Sequence, residues 1–204
     1  RVFNLTNNAT ITMEGLTIQD GNSGTGNVGG AILVNSGVTL TLRNSTIRNS
    51  RGRSSGAIDN EGTLTVENCT FLGNRSTNFS GGAMVNRSVA TIKSSTISGN
   101  TSNAQGGGLF NATGATLTIS HSTITDNQAV NGAGGITSHA NAIETRLYAS
   151  IVAGNNGSGN DIGLDGSNNT FVSEGYNLIG TQGASVVMDG TGDQVNVAEP
   201  KIGA

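Results

Sequence analysis

With 32 glycines, one proline, no tryptophan and 34% apolar residues over 204 positions, the chain lacks the material for a thick globular core. Its 11% charged residues leave a formal net charge of −3, which excludes a general attraction to nucleic acid or to anionic membrane. No stretch approaches the roughly 20 apolar residues of a membrane helix, and a single cysteine, Cys69, excludes an internal disulfide.

From the N-terminus, the first element is the alternating run Thr10-Ile11-Thr12-Met13, followed by Leu16-Thr17-Ile18. The same pair of phrases returns at Thr39-Leu40-Thr41-Leu42 with Ser45-Thr46-Ile47, and at Thr63-Leu64-Thr65-Val66 with Cys69-Thr70-Phe71. It returns again at Val89-Ala90-Thr91-Ile92 with Ser95-Thr96-Ile97, and at Thr116-Leu117-Thr118-Ile119 with Ser122-Thr123-Ile124. A sixth copy is degenerate and keeps Leu147 and Val152. Alternation with period two over this length predicts half-buried strands, aliphatics inward and threonines outward.

A glycine phrase introduces the copies. It reads Gly29-Gly30-Ala31-Ile32, Ser55-Gly56-Ala57-Ile58, Gly81-Gly82-Ala83-Met84, Gly106-Gly107-Gly108-Leu109 and Ala133-Gly134-Gly135-Ile136. A fixed period of about 26 residues predicts an all-β solenoid, a single-stranded parallel β-helix of roughly seven to eight coils. At the spacing of paired strands, about 4.8 Å per coil, the rod would be on the order of 35–40 Å long. Residues 1–155 carry the regular coils, and 156–204 read as irregular terminal coils and loops of the same domain. Within that tail, 154–169 reads as a long loop rich in Gly, Asn, Ser and Asp.

Two polar columns accompany the aliphatic ones. One holds Asn74, Asn100, Asn127 and Asn155; the other holds Asn35, Asn60, Asn86 and Asn111. Asparagine tolerates left-handed backbone, which places these residues at turns. Stacked in register, their amides would also bond along the ladder.

The phrases Gly81-Gly82-Ala83-Met84-Val85-Asn86, Leu64-Thr65-Val66-Glu67-Asn68-Cys69-Thr70-Phe71 and Ser95-Thr96-Ile97-Ser98-Gly99-Asn100 resemble a large bacterial group. Ile151-Val152-Ala153-Gly154-Asn155 and Gly175-Tyr176-Asn177-Leu178-Ile179-Gly180 extend the likeness. The group is the right-handed parallel β-helix repeat of surface proteins, including choice-of-anchor Q and polymorphic outer-membrane proteins. The resemblance implies a right-handed helix and an extracellular or cell-surface setting, and only weakly an activity. It also makes the first residues look like an inner coil and the last ones a point where relatives continue. Neither end shows an obvious polar cap, so the native chain is expected either to continue beyond these residues or to stack end to end into a filament.

Catalysis on this scaffold would need carboxylates or a base at one offset in adjacent coils. Asp59 and Glu61 share a coil, but the next offers Val85 and Arg87 there. Glu67 stands opposite Arg43 and Lys93, a surface charge ladder; Asp126 reads as a turn cap and His121 as an exposed ladder residue. His139 near Glu144 is the one candidate His–carboxylate pair. The metal candidates are Asp161, Asp165, Asp189 and Asp193, whose oxygens on flexible loops would suit calcium; no other cofactor is expected. Cys69 fills a serine slot and reads as a small wall residue.

Outward threonines form a column: Thr10 and Thr12, Thr39 and Thr41, Thr63 and Thr65, Thr116 and Thr118. They resemble an ice-binding face, although Thr is also a favoured strand residue. The reading that follows is a non-enzymatic structural or adhesion module with loops near 21–28, 50–55, 75–80 and 154–169. The alternatives are a polysaccharide-acting β-helix and an ice-binding solenoid. Expected partners are a second copy, other surface proteins or glycans, with no nucleic acid and no membrane insertion by this segment. Tyr148 and Tyr176 are the candidate glycan contacts.

Overall fold

The computed structural model describes residues 1–24, 26–158 and 160–197. Among them every element is a strand, and every strand pairing is parallel. Among the described residues three seven-stranded sheets run along the helix, and a fourth, four-stranded sheet flanks its middle layers. Sheet 1 stacks Phe3–Leu5, Ile32–Val34, Ile58–Asn60, Met84–Asn86, Leu109–Asn111, Ile136–His139 and Ile162–Asp165. Sheet 2 stacks Thr10–Glu14, Thr39–Arg43, Thr63–Glu67, Val89–Lys93, Thr116–Ser120, Glu144–Tyr148 and Phe171–Ser173. Sheet 3 stacks Thr17–Gln19, Thr46–Arg48, Thr70–Leu72, Thr96–Ser98, Thr123–Thr125, Ile151–Val152 and Leu178–Ile179. Sheet 4 is short: Arg51–Gly52, Arg75–Ser76, Thr101–Ser102 and Gln128–Ala129. The chain visits the sheets in order and climbs one layer per circuit, which is a parallel β-helix.

The alternation predicted from sequence sets the core. Leu40, Leu64, Ala90 and Leu117 align inside sheet 2, as do Leu42, Val66, Ile92 and Ile119. Sheet 3 contributes Ile18, Ile47, Phe71, Ile97, Ile124 and Val152. All of these are buried. Each such side chain contributes roughly 1.5–3 kcal/mol by leaving water, so a thin core suffices because it is repeated.

The glycine phrases sit where the backbone passes from sheet 4 to sheet 1. The first residue needs a left-handed angle: φ is 65° at Gly29 and 71° at Gly81, and Ser55 adopts 50° despite its Cβ. The second glycine answers a different constraint. A Cβ on Gly82 would fall on the carbonyl oxygen of Gly107 in the next layer. Layers at strand spacing leave no room for a side chain at that point.

Three expectations are corrected. The span 154–169 is not one loop, because Ile162–Asp165 joins sheet 1 as its last strand. Arg51–Gly52 and Arg75–Ser76, read as loop, are strands of sheet 4. The asparagines of the polar columns are not the left-handed residues. Those angles fall on the positions just before the ladder, Asn49, Gly73, Gly99, Asp126 and Gly154, and on Asn44, Asn68, Ser94, His121 and Ala149 at the corner of sheets 2 and 3.

Asn74, Asn100 and Asn127 instead point inward and are fully buried. Asn74 Nδ2 donates to Asn100 Oδ1 at 3.0 Å, Asn100 to Asn127 at 2.8 Å and Asn127 to Asn155 at 2.8 Å. A second ladder runs from Asn60 to Asn86 at 2.8 Å and on to Asn111 at 2.9 Å. Asn35 stands outside it, because Val34 is the residue in register with Asn60; Asn35 donates back to Asn4 and Leu5. Serines form a third ladder, in which the backbone N–H of each coil donates to the next Oγ: Cys69 to Ser95, Ser95 to Ser122, Ser122 to Ser150.

The glycine constraint is testable. Gly82→Ala should lower stability by about 3 kcal/mol or more, since overpacking against backbone cannot relax. Gly26→Ala, with nothing within 4 Å of its added Cβ, should change it by less than about 0.5 kcal/mol. Denaturant unfolding of both variants reads the difference.

Cys69 supplies a pH test. Burial pushes its thiol above the ordinary value of 9.0. Above that value the unfolded chain loses its thiol proton first, so stability contributed below it drains away as pH rises through the folded value. Cys69→Ser fits the serine ladder and should remove this part of the alkaline loss, measured by thermal melts from neutral pH upward.

Candidate functional site

Sheet 1 carries an outward row of Leu33, Asp59, Val85, Phe110, Thr137 and Gly163 in register. The segments joining sheet 4 to sheet 1 fold over it, so residues on the outer side of the wall are nonetheless covered. Thr137 shows how: its Oγ1 accepts the N–H groups of Gly106 at 3.1 Å and Ala133 at 3.2 Å.

Asp59 is the anomaly in this row. It is a carboxylate at 0% exposure between leucine and valine neighbours. Burying such a group is costly unless it is paired. Arg87, from the next layer, supplies the pair: Nε donates to Oδ1 at 2.8 Å and Nη2 to Oδ2 at 3.3 Å. Ser55 Oγ donates to Oδ2 at 3.1 Å, and Arg87 Nη2 also reaches Ser54 Oγ at 3.2 Å. The Arg87 side chain remains 39% exposed.

That side chain lies in a groove of about 290 Å³ lined by Val28, Ser54, Phe79, Ser80, Val85, Arg87 and Phe110. Phe79 is 48% exposed, and the Arg53 guanidinium stacks 4.8 Å from its ring centre. The Phe79 segment is fixed, because its carbonyl accepts from Ser76 Oγ at 2.7 Å and Ser102 Oγ at 2.9 Å. The sequence reading placed Asp59 and Arg87 in separate coils and did not join them. The signal was a carboxylate in an otherwise apolar column, with an arginine two residues beyond the matching position of the next coil.

The four calcium candidates do not converge. Asp161 Oδ1 accepts Asn155 N–H at 2.6 Å and Asn155 Nδ2 at 2.9 Å, and its Oδ2 accepts Thr181 N–H at 2.8 Å. Asp193 Oδ1 accepts Asn177 N–H at 2.9 Å and Nδ2 at 3.1 Å; its Oδ2 accepts Ser173 Oγ and Gly190 N–H. Each therefore closes a ladder. Asp165 is half-buried at the edge of sheet 1 and Asp189 is exposed. Among the described residues no three His, Cys, Asp or Glu side chains gather.

His139 does not pair with Glu144. Its Nδ1 accepts the N–H of Asn141 at 3.0 Å and lies 3.1 Å from Thr113 Oγ1. Glu144 pairs with Arg146 at 2.8 Å, and Arg146 also reaches Glu174 at 2.7 Å. These hydrogen bonds, Glu144 first, hold the Arg146 guanidinium above its ordinary value. His121 is exposed and meets Tyr148 edge-on at 5.3 Å, with Tyr176 beyond at 6.4 Å.

The threonine columns are in register. Thr12, Thr41, Thr65, Thr91 and Thr118 form an unbroken row. The row of Thr10, Thr39, Thr63 and Thr116 is interrupted by Val89, and both rows meet Glu144 and Arg146 in the sixth coil. Sheet 3 adds a row that the sequence reading did not single out: Thr17, Thr46, Thr70, Thr96 and Thr123.

A family model described as right handed beta helix region matches residues 3–148. No curated protein and no solved structure matches the chain.

The ladder ends are testable. Asp161→Ala leaves three N–H donors without their acceptor and should cost about 3 kcal/mol. Asp161→Asn, which presents one amide face to donors, should cost about 1–2 kcal/mol. Equilibrium unfolding in urea separates the two.

Proposed function

Because the chain belongs to the right-handed β-helix family, we propose that it acts as a non-catalytic secreted or cell-surface rod that presents loops to a partner. The observation that carries this reading is the placement of those loops. The segments after Asn22, Gly52, Ser76, Ser102 and Ala129 all leave the same side of the helix and re-enter at sheet 1. They are stacked above one another on a wall whose interior polar groups are tied coil to coil. Rigid scaffold and variable edge is how solenoids present binding surfaces. The partners proposed are other surface proteins, glycans, or a second copy.

A second reading, ice binding, draws on the row from Thr12 to Thr118. A flat array at strand spacing is a repeating hydroxyl and methyl surface.

One set of measurements decides among these. The labelled chain is applied to arrays of glycans and surface proteins, with light scattering for self-association and a screen for polysaccharide depolymerisation. The expected result is a binder whose affinity falls at least about ten-fold when residues 77–80 are replaced by Gly and Ser, at unchanged melting temperature. Depolymerisation of a polysaccharide would replace the proposal with the enzymatic alternative. Thermal hysteresis abolished by Thr65→Arg would replace it with ice binding.

A further inference from the structure

The groove on sheet 1 has a chemistry of its own. Its walls are Val28, Phe79, Val85 and Phe110, and among the described residues its polar side chains are Ser54, Ser80 and Arg87. A pyranose would bring more hydroxyls than these can satisfy, and each unpaired one would be penalised on burial. An apolar body suits the walls.

The guanidinium is the second component. The row itself does not call for an ion pair, since apolar residues occupy the equivalent places at Leu33, Val85 and Phe110. Replacing a buried pair by packed hydrophobes is often neutral or stabilising. What the pair provides is position. Two donors of Arg87 are fixed on Asp59 and one on Ser54, while Nη1 has no partner among the described residues. With the fork spent on Asp59, Nη1 is left as a fixed, charged donor for one oxygen of a ligand carboxylate. Arg53, stacked on Phe79, brings a second positive charge against the single negative charge of Asp59.

We propose that this groove binds a small monocarboxylate with an apolar, ring-sized body, the carboxylate on Arg87 Nη1 and the body between Phe79 and Phe110. The volume of about 290 Å³ lies at the small end of ligand pockets, which limits the occupant to about the size of an aromatic amino acid. The source is either a free organic acid or the C-terminal residue of a peptide, since both present a carboxylate beside an apolar group.

The test is calorimetric titration of the intact chain with 3-phenylpropionate. Its neutral counterpart 3-phenylpropanamide, N-acetylphenylalanine and glucuronate serve as comparison probes. The carboxylate should bind at least about ten-fold tighter than the amide and than glucuronate. Phe79→Ser, at a half-exposed loop position, should weaken it by about ten-fold with melting unchanged. Arg87→Gln should equalise acid and amide if the variant still folds. Tighter binding of N-acetylphenylalanine than of phenylpropionate would assign the site to peptide C-termini, and the reverse to free acids; either supports the proposal. Equal affinity of acid and amide, preference for glucuronate, indifference to Phe79→Ser, or no binding at about 10 mM would overturn it.

Discussion

A carboxamide carries two donors and an acceptor oxygen with two lone pairs, and those of Asn74, Asn100 and Asn127 are fully buried. The structure depends on how that demand is met. Asn74, Asn100 and Asn127 each satisfy the residue in the layer before and are satisfied by the layer after. They also bind backbone carbonyls such as those of Ile47, Phe71 and Ile97. A slip of one residue in any coil would leave several buried groups unpaired at once, at about 1–3 kcal/mol each. The apolar columns also forbid a one-residue slip, which would turn them outward, but alone they would tolerate a slip of two, because Ile, Leu, Val and Phe occupy them interchangeably. The aliphatics therefore decide which residues face in, and the amides decide between the registers that remain. Glycines such as Gly82 then allow the layers to approach where the chain turns back into sheet 1.

A wall held in register is what makes the outer face useful. The row from Leu33 to Gly163 is a set of equivalent positions, and single substitutions along it change its chemistry without moving the backbone. Thr137 ties down its loop; Asp59 orients a guanidinium; Val85 and Phe110 line the groove. Residues that act on the outside are thus supported by strands whose geometry was set for other reasons. This is the arrangement that a binding site requires, with its contact groups on rigid elements.

Much of this fold was legible in the sequence because it repeats. Thr-x-Thr runs, the glycine phrase and the aliphatic columns recur at one period, and their alternation with period two leaves little choice of architecture. What repeats only partly was harder to read. Ile162–Asp165 joins sheet 1 without the glycine phrase or Thr run that marks earlier coils, so it looked like loop. Asn35 looked like a ladder member by counting, whereas the pairing of Val34 with Asn60 shifts it by one. The left-handed angles fall on residues of mixed type, Asn, Gly, Asp and Ser, and position rather than identity assigns them. Asp59 and Arg87 occur once each. No period can reveal a pair that is not repeated, and their contact crosses 28 residues of sequence.

The ladders also point one way. Asn74 donates to Asn100, Asn127 to Asn155 and Asn60 to Asn86, always toward the later coil, and the serine ladder does the same. Each ladder therefore delivers its last donors to the C-terminal layers. There the anionic oxygens of Asp161 and Asp193 receive them. A β-structure, whose strand dipoles ordinarily contribute little net field, here hands its unpaired donors to a carboxylate in the last layers. It is the counterpart of an acidic residue at the start of an α-helix, achieved without a helix and running through the inside of the molecule.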